Sequence, residues 1–114
     1  MFEIVRQVEN NDINISKLTI TKHMIDRLYR VQFNKLYLNN NNIYKVFLVD
    51  TNHSNGLELH VILKNASILI INNNTKKLVT VLNARKNQIL RYDSKAPRFL
   101  LGIASENQRL KRNY

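Results

Sequence analysis

Apolar residues recur with two different periods along this chain of 114 residues. Over residues 57–63 they alternate with polar ones, with His60 on the face opposite Leu59 and Val61, which predicts a strand. Residues 68–71 are all apolar, as expected of a central strand covered on both faces. Residues 43–49 and 78–82 have similar β-forming character, and Asn-rich turns separate the segments. These four segments predict an antiparallel meander.

A helical period appears over residues 22–32, with Thr21 as the candidate N-cap. The apolar positions fall on one arc of the helix, which we expect to cover one face of the sheet; they are Met24, Ile25, Leu28, Tyr29 and Val31.

The remaining segments complete the predicted architecture. Pro97 is placed to open a second helix over residues 98–111. Its expected apolar side carries Phe99, Ile103 and Leu110, and its basic residues Arg98, Arg109, Lys111 and Arg112 would face solvent. Residues 2–8 and 13–20 fit either short strands or irregular structure, and residues 83–95 fit a basic loop or a short helix. The prediction is one α+β domain over residues 1–114: a four-stranded antiparallel meander packed on an N-terminal-half helix, with a C-terminal helix.

Charge adds the first indication of function. The chain has 18 Lys and Arg against 8 Asp and Glu, a net charge of +10. Residues 1–57 hold seven cations and five anions, whereas residues 58–114 hold eleven and three, so the excess is +2 in the first half and +8 in the second. Such an imbalance favours a polyanionic partner, either nucleic acid, with RNA favoured over DNA, or an acidic protein surface.

Composition excludes several classes of function. There is no Cys, and the only glycines are Gly56 and Gly102, so thiol chemistry, P-loops and nucleophile elbows are not expected. Three histidines and few carboxylates show no ligand spacing, so neither a metal nor a cofactor is predicted. His53 fits a solvated turn residue, and His60 fits a half-buried structural one. No apolar run is long enough to span a membrane, and a cytoplasmic location is expected.

The second half contains the predicted nucleic-acid contacts. Cations interleaved with an aromatic ring suit phosphate binding combined with base stacking. A solubilising surface is the alternative interpretation of the same charge run. The predicted contact residues are Lys76, Lys77, Arg85, Lys86, Arg91, Tyr92, Lys95 and Arg98.

A catalytic hypothesis comes from the first helix. His23, Arg27 and Arg30 follow an i, i+4, i+7 spacing, which places them on one helical face. An imidazole beside two guanidinium groups is suited to metal-independent RNA cleavage, with the histidine moving a proton and the arginines stabilising charge on the phosphate. Thr80 is a candidate hydroxyl contact. A solvated basic helix face is the alternative.

The segment Thr21-Lys-His-Met-Ile-Asp-Arg-Leu and the strand Leu78-Val-Thr-Val-Leu82 resemble the barnase–EndoU–colicin–RelE ribonuclease-like group of phage- and toxin-associated domains. The resemblance covers residues 20–83 and implies metal-independent RNA cleavage, with His23 and Arg27 in the helix motif and Thr80 as a strand-end hydroxyl. The chain departs from the pattern where the helix motif often ends in arginine and glycine, because it reads Arg30-Val-Gln-Phe.

Two functions therefore follow from the sequence. The first is a small basic ribonuclease-like protein directed at nucleic acid. The second is a non-catalytic nucleic-acid-binding or protein-interaction accessory factor of a phage or mobile element. Neither requires a membrane, and the pattern carries no prediction of oligomeric state.

Overall fold

The computed structural model describes residues 2–52 and 56–112, with the side chains of 110–112 excepted. Within them, five strands form one antiparallel sheet in chain order, so the predicted meander is confirmed but has five strands instead of four. The strands are β1 (Glu3–Val8), β2 (Ile43–Asp50), β3 (Leu57–Leu63), β4 (Ser67–Asn72) and β5 (Leu78–Asn83).

Three helices are present in the described part of the chain. They are α1 (Lys22–Arg30), α2 (Lys86–Tyr92) and α3 (Arg98–Arg112), and short 3-10 turns occupy Asn10–Asp12, Ile15–Lys17, Lys35–Tyr37 and Asn40–Asn42. Thr21 caps α1 as predicted, since its hydroxyl accepts a hydrogen bond from the Met24 N–H at 3.2 Å. No described helix is long and apolar enough to cross a membrane.

The sheet is the middle layer of three. Met24 and Leu28 of α1 pack on the face that carries Val61 and Leu69, which we call the α1 face. Residues of α2 and α3 cover the opposite face, the α3 face, where they contact Phe47, Ile62, Ile68 and Ile70. The β4 side chains therefore alternate between two buried faces, which explains the uninterrupted apolar run at residues 68–71.

The corner between α2 and α3 is anchored to β2. The Asp93 carboxylate accepts hydrogen bonds from the Tyr44 hydroxyl and from Lys45 Nζ, the latter at 3.0 Å. These contacts hold the pKa of Asp93 below its usual value, with the Tyr44 bond as the largest cause. The ion pair therefore connects the helical layer to the start of β2.

The apolar arc of α1 is narrower than predicted. Tyr29 is 86% exposed and Ile25 is 46% exposed, whereas Met24 and Leu28 are buried. The reason is the position of the helix, which packs against β5 at the edge of the sheet. One stripe of α1 reaches the core, and the flank carrying Ile25 and Tyr29 lies beyond it.

The helix predicted over 98–111 is present, but its buried side differs from the expected one. Leu100 and Ala104 are buried against the sheet, while Phe99 is 54% exposed and Ile103 lies at the surface. Leu100 and Ala104 are four residues apart, so they form the stripe that contacts the sheet. The predictions made for Leu110, Lys111, Arg112 and His53 fall outside the described side chains.

Candidate nucleic-acid interface

Helix α1 follows the edge strand β5 along its length. Thr19 forms a parallel bridge with Lys77: its N–H donates to the Lys76 carbonyl at 3.2 Å, and its carbonyl accepts from the Leu78 N–H at 2.9 Å. α1 begins three residues later, beside the start of β5. At the other end of the strand, Arg27 of α1 and Arg85 line one groove. The helix and strand thus form one edge about 20 Å long, from six residues at about 3.3 Å each.

This edge gathers cations that are far apart in the sequence. Lys76 and Lys77 lie in the turn before β5, Arg27 lies on α1, and Arg85 and Lys86 follow the end of β5; we call these five residues the basic edge. All five are exposed. None of them pairs with a carboxylate within the described residues, where the ion pairs involve Lys45, His60 and Arg109. Their charge is therefore not neutralised locally.

Half of the acidic residues lie at the opposite side of the sheet. Four of the eight Asp and Glu residues lie in or beside β1 and the strand it pairs with: Glu3, Glu9, Asp12 and Asp50. Because the strand order is linear, β1 and β5 are separated by four strand spacings, about 19 Å at 4.8 Å each. The side of the molecule at β5 is therefore more positive than the side at β1.

A groove of about 220 Å³ lies between the two arginines of the basic edge. Arg27 of α1 and Arg85 and Gln88 of the α2 segment line it, over an apolar floor that includes Val81. The Arg85 N–H donates to Gln88 Oε1 at 2.7 Å, which fixes the start of α2 beside the groove. Two guanidinium groups on one groove are suited to bind a phosphate group.

The other predicted contact residues are not part of this edge. Arg91 belongs to α2 and lines a smaller cavity with Phe2 and His60, which shares Gln88 with the arginine groove. Lys95 lies in the α2–α3 connection and Arg98 at the start of α3, both exposed. The basic stretch predicted over residues 76–98 is therefore divided between the β5 edge and the helical layer.

Tyr92, predicted as a base-stacking residue, is engaged within the fold. Its ring stacks on Phe2 with centroids 5.2 Å apart and contacts Phe47 at 5.6 Å. Its hydroxyl lies 2.7 Å from His60 Nδ1. These contacts place Tyr92 in the packing of the α3 face and argue against a stacking role.

Three of the four predicted catalytic residues lie on α1, and the fourth, Thr80, lies on the other face of the sheet. His23 and Arg30 are exposed on α1, and His23 has no hydrogen-bond partner within the described residues. Thr80 pairs with Ile70 in the sheet register, and directly paired residues share a face, so Thr80 lies on the α3 face. α1 lies on the other face. The catalytic role of His23, Arg27, Arg30 and Thr80 remains a prediction, and the structure does not bring Thr80 to His23.

A buried polar chain on the α3 face escaped the sequence analysis. His60, 4% exposed, lies between Tyr92 and Glu58, with Nε2 3.1 Å from Glu58 Oε1. Burial lowers the pKa of His60, against the opposing effect of Glu58, and burial raises the pKa of Tyr92. The neutral imidazole therefore donates from Nε2 to Glu58 and accepts the Tyr92 hydroxyl at Nδ1. The i, i+2 spacing of Glu58 and His60 was the signal for this pair, whereas Tyr92 is 32 residues away.

Across residues 2–52 and 56–112, no group of three His, Asp or Glu residues is placed to hold a metal ion.

Comparison of the chain with protein-family models, curated proteins and solved structures found no match. The resemblance to ribonuclease-like domains therefore remains a prediction from the α1 and β5 segments.

Proposed function

We propose that this protein binds nucleic acid along its basic edge, with RNA favoured over DNA. The observation that carries the proposal is the row of five exposed cations on one edge about 20 Å long, none of which pairs with a carboxylate of the described residues. Phosphates along a nucleic-acid strand are regularly spaced anions, so a linear array of Lys and Arg meets several of them at once. Counterion release from those phosphates supplies the affinity.

The charge distribution of the whole molecule supports the same partner. The acidic residues near β1 lie across the sheet from the basic edge, so the molecule has a positive and a less positive side. A field of this shape orients the protein as it approaches a polyanion, which accelerates productive encounters. The two arginines of the groove, Arg27 and Arg85, then add a defined phosphate contact to the general attraction.

A salt titration tests the proposal. Binding of a short, labelled single-stranded RNA is followed by fluorescence anisotropy in EDTA between about 50 and 200 mM salt. If each of the five cations neutralises one phosphate, log affinity falls against log salt with a slope of about −3.5, from about 0.7 per contact on a single strand. A flat slope, or no binding at low salt, contradicts the proposal. Polyglutamate serves as the control polyanion, and equal binding to it indicates an acidic protein surface as partner.

The same mixtures test the catalytic hypothesis. RNA is incubated with the protein in EDTA and its products are resolved. Under that hypothesis, His23→Ala and Arg27→Ala each slow cleavage by about two orders of magnitude or more, and a substrate with 2′-deoxyribose at the cut site resists. If the wild-type protein leaves the RNA uncleaved, the catalytic hypothesis is wrong and the protein is a non-catalytic binding protein.

A further inference from the structure

A cleft of about 420 Å³ opens at the end of β5. The segment after α1 forms one wall, the β3–β4 turn forms the base, and α3 forms the other wall. Its volume is within the range of small-molecule sites, about 300–1,000 Å³. The residues that decide its chemistry are Gln32, Phe33, Asn34, Tyr37, Asn65 and Asn107.

Among the described side chains, the lining offers neutral hydrogen-bonding groups. Five side-chain amides surround the cleft, those of Gln32, Asn34, Asn65, Asn83 and Asn107, and no Lys, Arg, Asp or Glu among the described residues lines it. The Asn34 and Asn65 carbonyl oxygens accept from the Leu36 and Ser67 N–H groups, both at 2.9 Å, which leaves their amide N–H groups available for a ligand. The amides of Gln32 and Asn107 have no hydrogen-bond partner within the described residues.

Aromatic rings complete the wall formed by the segment after α1. Phe33 and Tyr37 pack edge to face with centroids 6.3 Å apart. The Tyr37 hydroxyl has no hydrogen-bond partner within the described side chains, and burial raises its pKa, so it stays protonated and can donate. Amide donors and acceptors beside aromatic surface complement a heterocycle with hydrogen-bonding edges and apolar faces. A nucleobase has these properties.

The cleft adjoins the arginine groove. Val31 and Asn83 line both cavities, so the cleft lies beside the groove that holds Arg27 and Arg85. A nucleotide placed with its phosphate at the arginines would direct its base towards the amides. Phosphate contacts would fix the register of the strand, and the amides would read the edge of the base.

We propose that this cleft takes one unstacked nucleobase from a single strand whose backbone lies on the basic edge. The inference rests on the proposed function and adds its substrate class, a single-stranded nucleic acid. A base within a duplex is stacked and paired, so its hydrogen-bonding edge is not free to enter the cleft.

Abasic substitution separates the cleft from the basic edge. Two single-stranded RNAs of equal length are compared, one intact and one with abasic sites throughout, which carry the same phosphates. We expect the wild-type protein to bind the intact strand roughly tenfold more tightly, with the same salt slope for both. Equal affinities with an undiminished slope overturn the inference and leave the proposed function standing. Absence of salt-sensitive binding to both strands contradicts both proposals.

A variant pair locates the effect. Asn107→Leu replaces an amide of the cleft with an apolar side chain, and we expect the two strands then to bind equally. Ser105→Leu is the control, because Ser105 is exposed on the same helix and does not line the cleft. If Asn107→Leu keeps the tenfold preference, the base binds elsewhere and the inference is wrong. The wild-type comparison decides the question if that variant does not fold.

Competition by free nucleotides tests whether the cleft requires a single strand. A nucleoside monophosphate makes one phosphate contact, so it should compete for the cleft far more weakly than a strand does. Competition at the same concentration as the strand would show a site for free nucleotides and overturn the single-strand assignment.

Discussion

The double variant Arg27→Gln/Arg85→Gln removes both guanidinium groups from the groove beside β5 while keeping polar side chains there. Both residues are exposed and unpaired within the described residues, so we expect the free energy of unfolding to change by less than about 0.5 kcal/mol for each. Thermal denaturation checks this. Any larger effect on binding then belongs to the interface.

The expected loss of affinity follows from counterion release. Each phosphate contact on a single strand contributes about 0.7 to the slope of log affinity against log salt, so two lost contacts reduce the slope by about 1.4. Between 1 M and 0.1 M salt, a tenfold change, these two contacts raise the affinity by about 1.4 log units. The variant should therefore bind about 25-fold more weakly than the wild-type protein at 0.1 M salt. Fluorescence anisotropy with labelled single-stranded RNA measures both quantities.

The matched control is Arg6→Gln/Arg109→Gln, which lowers the net charge by the same two units. Arg6 lies on β1 at the other edge of the sheet, and Arg109 lies on α3, where it pairs with Glu106. We expect this variant to keep nearly the full salt slope. If both double variants lose affinity equally, binding depends on net charge and the basic edge is not a site.

The remaining predictions concern stability and are measured by urea unfolding. Leu28→Ala should lower the free energy of unfolding by about 2–5 kcal/mol, because the Leu28 side chain is buried between α1 and the sheet. Tyr29→Ala, on the exposed flank of α1, should lower it by less than about 0.5 kcal/mol. Equal losses would contradict the packing of α1. Burial in the folded protein lowers the pKa of His60, so below pH 6.5 the unfolded chain binds a proton at His60 more readily than the folded protein does, and the free energy of unfolding should fall as the pH drops. His60→Gln should show a shallower decline, and identical pH profiles of the two proteins would refute this. Gln32→Gly should raise stability by about 1 kcal/mol, since Gln32, two residues after the last residue of α1, has a left-handed φ of 56°; a loss would show that the side chain compensates for the backbone strain.

Local patterns were sufficient to predict most elements of the fold. Alternation at residues 57–63, the apolar run at 68–71 and the Thr21 cap each depend on neighbouring residues, and all three appear in the structure. β1 was harder to predict because it is an edge strand. Five of its six residues are exposed, so it has little hydrophobic signal. Residues 83–95 were ambiguous because α2 has only seven residues.

Burial within the helices required the tertiary structure. The sequence predicted broad apolar faces on α1 and on the C-terminal helix, but Tyr29 and Phe99 are exposed. Periodicity shows that a helix has an apolar side, whereas burial depends on how much of that side meets another element. α1 meets the sheet at its edge strand, and α3 contacts it through the stripe of Leu100 and Ala104.

The sequence by itself determined the net charge of +10, its concentration in residues 58–114 and a meander of strands. Only the tertiary structure decided which cations lie together. Arg27 and Arg85 are 58 residues apart, and they share a groove because the linear strand order leaves β5 at an edge and α1 packs beside it. The same packing turns Tyr92 towards His60 and Thr80 to the other face of the sheet. Strand order and the placement of a helix depend on contacts between distant residues, and neither composition nor local period records those contacts.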